Sequence, residues 1–465
     1  MSRLEGAGAG RPEDHPIRPW LVVAAALLTL GCGGDRKLRE LLTQTTGTVV
    51  LPAGAFEISQ ELRLPVGARD LEIRGGGTGT LIRASRRFEG RALLVVRGGT
   101  RLRIQNLIFD GNRRALEKPA GLPPSETPLP EHFHHHGLLA ENVRSLEIRD
   151  VRFENIAGFA IVVARSRDVR ISRIHVSDCG SRNEKGRNNT TGGVLLAEGV
   201  AEFAVRDSIF RNVLGNAVWT HSRAASPRNG PGVIAGNHFW TIGRDAIQVG
   251  HATAVRVEDN RGARIGFPTE AVDVEGGGIP VAIDTAGNVD HSVYLRNRFE
   301  EINGKCMDLD GFHHGEVRDN VCTNRGAADD YPHGHFGIVF NNANPQMASR
   351  NVVVAGNVIE GTKFGGIFLI GSGHQIVGNQ LRRLNLARCH ESAARFVCAH
   401  WPDEPDLMRS GIYLGRRAER PDPARNNVIA DNLISGWKMG ARCLGFAPGI
   451  SRASNRIERN RCLDE

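Results

Sequence analysis

The sequence is short of aromatic residues: 465 residues hold 18 Phe, five Trp and three Tyr. An aromatic RNA-binding platform is therefore not indicated, and no groove-reading helix pattern appears. The 59 Lys and Arg residues form no run, so the net charge of +8 is not concentrated in a nucleic-acid-binding tail. The longest apolar stretch, Trp20 to Leu30, has eleven residues, against the ~20 that a membrane-spanning helix needs. No Cys-x-x-Cys spacing occurs among the eight cysteines, which argues against a zinc ribbon. Glycine is abundant, 56 residues, yet without the Gly-X-Y period of collagen. Short runs rich in Val, Ile and Leu recur from end to end, which excludes wholesale disorder. Length alone suggests two or three domains. A glycine-rich chain of short β-branched runs asks first for a search for repeats.

The amino terminus reads as an address. Arg3, Arg11 and Arg18 precede the apolar run, and Gly31-Cys32-Gly33-Gly34 follows it, the order of a secretory signal over residues 1–31. Leu28-Thr-Leu-Gly-Cys32 resembles a bacterial lipobox, which implies acylation of Cys32 after cleavage; plain secretion and an uncleaved anchor are the alternatives. The expected localisation is exported: periplasm, outer membrane or cell surface, with membrane contact through the lipid only. Export permits disulfides. With Cys32 lipidated, seven cysteines remain, so at least one stays a thiol. Cys389 and Cys398 share a loop and are the easiest pair to close, with Cys443 and Cys462 a further candidate.

A phrase recurs along the chain: alternating apolar residues, a polar pair, then a second apolar run, as in Leu146-Glu-Ile-Arg-Asp-Val-Arg-Phe153. The first members of the pair are Gly75, Asn106, Asp150, Arg173, Asp207, Gly236, Asp259, Arg296, Asp319, Gly356, Gly378, Asp431 and Arg459. The shortest spacings are 22 and 23 residues, and the others are longer. That is a solenoid whose coils carry loop insertions. Period-two alternation predicts strands rather than helices, and such a coil has room for three short ones. From Asn237 onward the second member is always Asn: 237, 260, 297, 320, 357, 379, 432 and 460. Asn tolerates a left-handed corner, and stacked amides can form a hydrogen-bonded ladder. Residues 32–44 form a linker and an amphipathic helix (36–44) suited to covering the open edge of the solenoid.

The start Gly47-Thr-Val-Val-Leu-Pro-Ala-Gly, the later Leu71-Glu-Ile-Arg-Gly-Gly-Gly77 and the Asn column resemble the right-handed pectin-lyase-like β-helix proteins. The resemblance covers residues 45–465 and implies an all-β, right-handed parallel β-helix of about 12–13 coils. It says little about reaction, because that fold carries lyases, hydrolases, epimerases and inert stalks.

Long loops (113–136, 181–192, 221–232, 266–280, 325–336 and 385–410) flank the third strand of the coils, which predicts a groove on that sheet. Alternation turns Asp284, Asp308, Asp310 and Asn341 toward the groove, with Trp219 and His221 on earlier coils. Tyr413 and Phe368 lie on the same face. Three carboxylates this close raise a pKa or demand a cation. They suit the acid and base of a glycosidase, or Ca2+ held by Asp308 and Asp310 in a lyase. His333 and His335 follow one coil later as proton-transfer partners. Tyr331-Pro-His-Gly-His335 resembles the Asp-Pro-His signature of mannuronan epimerases, with Tyr331 in place of Asp. Trp219, His221, Asn341 and Tyr413 are the expected sugar-binding residues. The His132, His134, His135 and His136 cluster reads as a polar loop or a metal site, and His251 and His374 read as surface residues. The positive balance suits an acidic polysaccharide as partner. The expected function is a polysaccharide lyase or glycoside hydrolase acting on a uronate polymer, with a non-catalytic carbohydrate-binding or structural β-helix as the alternative.

Overall fold

The polar pair marks a corner. In a computed structural model of the chain, each marker ends or follows a strand of one 14-stranded parallel sheet, here sheet A, which runs from Gly47–Leu51 to Arg456–Glu458. Described are residues 34–465 except 78, 344–346, 348, 390–397 and 399–400. The leader and Cys32 lie outside the described residues. After each corner the chain enters one ladder of a 26-stranded sheet, here sheet B (Leu107–Asp110, Arg152–Glu154, His175–Ser177 and onward), then its other ladder, here sheet C (His136–Glu141, Ile161–Ala164, Val194–Ala197 and onward), the two joined through the long strand Thr80–Arg97, and returns to sheet A one rung higher, as a right-handed parallel β-helix. Sheet A holds one more coil than the thirteen markers, because its first strand, Gly47–Leu51, precedes the first marker.

The marker residue itself takes the left-handed conformation, with φ from 49° at Arg173 to 68° at Gly356, Gly75 excepted. The expectation had put Asn there. Asn instead follows the corner and turns inward, where its amide is buried. Asn260 Nδ2 donates to Asn297 Oδ1 at 2.9 Å, Asn297 to Asn320 at 2.9 Å and Asn320 to Asn357 at 2.9 Å. The ladder continues through Asn379 and Asn432 to Asn460. Each amide also donates to a backbone carbonyl, for example Asn320 to Tyr294 at 2.9 Å. Both donors and the acceptor are thus used in a buried place where an unmet polar group costs about 1–3 kcal/mol. Outside the corner, marker side chains pair across coils: Arg173 with Asp150, Arg296 with Asp259 and Arg459 with Asp431, each as a two-pronged bond.

The few aromatics are stacked inside. On sheet B, Phe109 lies over Phe153 with centroids 5.3 Å apart, and Phe210 over Phe239 at 5.2 Å. Phe239 reaches Phe299 at 6.2 Å across the intervening Gly262. A Cβ on Gly262 would stand 2.6 Å from the Phe299 ring, so only glycine lets the two rings meet. The helix Gly34–Leu41 buries Leu38 on the first coil, and Arg39 donates to the carbonyls of Gln60 and Glu61, covering that edge.

Disulfides join Cys306 to Cys322, Cys389 to Cys398 and Cys443 to Cys462; Cys179 is a buried thiol. His374 is not a surface residue. It is fully buried, its Nδ1 accepts from Val352 N at 3.1 Å, and its N–H donates to Asn427. It is a rung of a second ladder, completed by Asn427 and Asn455.

Candidate functional site

The outward column of sheet C is set by strand register. Trp219 lies beside Gln248, Gln248 beside Asp284, Asp284 beside Asp308, and Asp308 beside Val339. The next column on the same face carries Asp310 beside Asn341. Ile283, Met307, Leu309, Ile338 and Phe340 point into the core, so the alternation holds. The carboxylates face outward yet lie under loops: Asp284 is 9% exposed and Asp308 7%.

Two residues that alternation did not single out complete the cluster. Lys305 Nζ forms an ion pair with Asp308 Oδ2. Asp245, at the preceding corner, accepts from Val281 N at 2.9 Å and has Arg244 Nε 3.6 Å away. Gln248 donates to Asp284 at 2.5 Å and is itself held by Asn216 at 2.7 Å. Strand parity explains the omission. Cys306 bonds to Cys322 in the core while Met307 also faces inward, so the alternation breaks there and Lys305 emerges on the outer face.

Charge follows from this packing. Burial, then Asp245 and Asp308, push Asp284 well above the ordinary carboxylate range. Burial pushes Asp245 up to about 6. Asp310, half-buried, is raised to about 6 by burial and by Asp308. Its Oδ1 accepts from Ala343 N at 2.7 Å. Burial opposes the charge on Lys305, but Asp308, Asp284 and Asp245 outweigh it and raise that pKa. Asp308 Oδ1 and Arg244 Nε and Nη1 are buried and make no hydrogen bond within the protein. Among the described residues no set of three or more His, Cys, Asp or Glu is arranged to hold a metal ion. The positive charge beside Asp308 is the Lys305 ammonium.

A cleft of about 690 Å³ adjoins the cluster, lined among others by Lys305, His335, Asn341, Phe368, Trp401 and Arg417. It meets the carboxylates through Lys305. His335 N donates to Gly304 O at 3.1 Å, placing this residue on the coil next to Lys305. His333 is turned elsewhere: its N–H donates to Asn303 at 2.8 Å, and Thr269 and Lys363 are its electrostatic neighbours. Burial lowers its pKa.

The remaining expected sugar contacts are covered. Trp219 is 6% exposed and belongs to a second apolar cluster with Leu129, Phe133, Phe159 and Leu195. His221 packs edge-on to it at 5.0 Å, and burial lowers its pKa to about 4. Tyr413 is fully buried, its hydroxyl donating to Glu404 at 2.8 Å. Of the histidine-rich loop, His136 is buried and its Nδ1 accepts from Phe159 N at 3.0 Å.

No protein-family model matches the chain, and no curated protein matches it by sequence. Solved structures match by fold. DFA-IIIase from Arthrobacter chlorophenolicus A6 is 11% identical, with a TM-score of 0.53 over 91% of this chain and 92% of that one. PfbA, a surface adhesin of Streptococcus pneumoniae, is 14% identical, with a TM-score of 0.51 over 72% of this chain and 82% of that one. The Dettilon tailspike protein is 14% identical, with a TM-score of 0.51 over 72% of this chain and 60% of that one. At these identities the likeness is one of fold, the parallel β-helix.

Proposed function

We propose that this protein is an exported, carbohydrate-processing β-helix enzyme of the pectin-lyase-like kind, lipid-anchored at Cys32. In this reading it hydrolyses an acidic polysaccharide in the cleft between Lys305 and His335. One observation carries the reading: Asp308, ion-paired with Lys305, and Asp310, raised to about 6, stand two residues apart on the outer face of one strand. Environments that separate two carboxyl groups in this way assign acid and base roles. Residues i and i+2 of a strand are about 6.6 Å apart, near the ~6.5–9.5 Å that an inverting glycosidase leaves for water. Asp310 then protonates the glycosidic oxygen, Asp308 takes a proton from the attacking water, and Lys305 pairs with Asp308. Arg244 and Lys305 supply positive charge for an acidic ring, and Phe368 and Trp401 an apolar wall. The fold likeness to an enzyme studied with a bound ligand and to a tailspike accords with saccharide handling.

A second reading has its own observation. Lys305 beside a uronate carboxylate, with His335 as base, is the equipment of a lyase. A panel of uronate polymers separates the two. Hydrolysis yields new reducing ends alone, whereas elimination yields unsaturated ends that absorb in the ultraviolet. Binding without either product would make the protein a non-catalytic glycan-binding module, as the likeness to an adhesin allows. Asp308→Asn and Asp310→Asn are each expected to lower turnover by about 10²–10⁴-fold, the usual share of a general acid or base. Unchanged turnover in both would refute the site.

A further inference from the structure

A second cleft lies apart from the one at Lys305. It lies at the amino-terminal end of sheet C, holds about 1110 Å³, and is lined by Arg63, Arg91, Arg97 and Lys118 against Glu61 and Glu89, among others. We propose that this cleft is a second saccharide site, specific for oligosaccharides that carry carboxylate or sulfate groups, and separate from the Asp308 site.

Glu141 lies at the edge of this cleft, beside its residues Arg91 and Arg97. Its carboxylate is 5% exposed and sits in register with Arg97 on the neighbouring strand. Three guanidinium groups converge on it: Arg165 at 3.0 Å, Arg97 at 3.3 Å and Arg91 at 3.4 Å. Arg165 faces a neighbouring cleft, whereas Arg91 and Arg97 line this one and share that carboxylate with it, so positive charge remains on their side. Arg91 is further fixed by Pro130 O at 2.6 Å, which pre-orders its donors. The cleft acid Glu61 is already engaged, with Arg63 and with Arg91 N. Lys118 is exposed and has no ion-pair partner among the described residues. Guanidinium forks bind planar carboxylates and sulfates best. The cleft is far larger than a lone inorganic anion needs, and Leu42, Leu62 and Leu116 give it apolar walls.

Separation from the other site follows from the ladder. Six rung steps on sheet C lie between the strands of Arg97 and Asp284, about 29 Å at ~4.8 Å per step. Between them the outer face is filled by Leu139, Val162, Leu195 and Trp219 beneath Leu129 and Phe133. A sugar chain cannot lie flat along the sheet from one cleft to the other.

Calorimetric titration of the full chain tests this with three probes: a galacturonate hexamer, a sulfated glycosaminoglycan hexamer and an uncharged glucan hexamer. An acidic hexamer is expected to bind, and R97Q/K118Q to weaken it by about tenfold or more. The same loss is expected when R97Q/K118Q is made in a D308N background, in which the probe is not turned over during the titration. Comparing the two acidic probes tells carboxylate from sulfate recognition, and either supports the site. Equal binding by R97Q/K118Q, equal affinity for the uncharged hexamer, or no acidic binding at millimolar concentration would overturn it. Loss in D308N alone would also overturn it while leaving the proposed function intact.

Discussion

Replacing Lys305 by Met removes the cation that sits among Asp308, Asp284 and Asp245 and leaves the carboxylates buried. Removing one partner of a buried pair costs about 3–5 kcal/mol. The structure also sets a ceiling, because the cluster can escape by taking up one proton. Protonating a carboxyl of ordinary pKa ~3.9 at pH 7 costs about 4.2 kcal/mol, and at pH 5 about 1.5 kcal/mol. Lys305→Met is therefore expected to lose about 3–4 kcal/mol at pH 7 and about 1.5 kcal/mol at pH 5. The sign follows from linkage. The variant's folded state binds more protons than its unfolded state, so its deficit is largest at high pH and shrinks as pH falls toward the unfolded pKa. The raised pKa values of Asp284 and Asp245 disfavour folding in the same direction in the parent, but less steeply while Lys305 is present. Urea denaturation of parent and variant from pH 5 to 8, with intact disulfides, reads the difference. The K305M/D308N double variant should recover most of the loss, because a neutral pair replaces the lone charge. A deficit that does not change with pH, or one below about 1 kcal/mol at pH 7, would show that Lys305 does not compensate these carboxylates.

Asp310 is raised to about 6; as general acid it works protonated, so kcat/KM should fall as pH rises through about 6, and D310N should abolish that limb. The same raised pKa stabilises the fold below the unfolded value and is lost as pH rises through about 6, so D310N should flatten the stability profile between about pH 4 and 6. Asn320→Ala removes the side-chain donor to Tyr294 O and the acceptor shared by Asn297 N and one Asn297 Nδ2 hydrogen and should cost about 3 kcal/mol by urea denaturation, whereas half-buried Asn460→Ala should cost under about 1 kcal/mol. Tyr413→Phe strips the buried Glu404 of a donor; it should lower stability by about 1–3 kcal/mol and leave glycan affinity unchanged. Cys32→Ser should abolish incorporation of a labelled fatty acid and release the protein from membranes, and retained labelling would refute the lipobox reading.

The coil was legible because it obeys a period. Corner markers such as Asp259 and Arg296 recur at fixed distances from apolar pairs, and stacking demands that recurrence. Asn also tolerates φ near +55°, so the pattern alone points to a left-handed corner one residue later than the corner lies. Gly236, Gly356 and Gly378 in the preceding position carried the signal. His374 was readable in the same way: like Asn427 and Asn455, it immediately precedes a sheet A strand. Asp284, Asp308 and Asp310 were found by alternation, whereas Lys305 was not, because parity breaks where Cys306 enters the core. The covers over Trp219 and Tyr413 come from loops 113–136 and 385–410, which have no period to read.

Those covers decide what the sheet can do. One outward column carries Leu195, Trp219, Gln248, Asp284, Asp308, Val339, Phe368 and Tyr413 at equal steps, and every one of them is buried. The scaffold supplies spacing alone. Where the loop above is apolar, as at Leu129 and Phe133, the column becomes core. Where Lys305 and Arg244 stand above it, the same degree of burial raises Asp284 and leaves Asp308 as an ion-paired carboxylate with one oxygen unbonded. Desolvation is what makes neighbouring carboxyl groups unlike one another, and here it comes from the loops rather than from the strands. A change of substrate or reaction on this fold would therefore need new loops over an unchanged ladder.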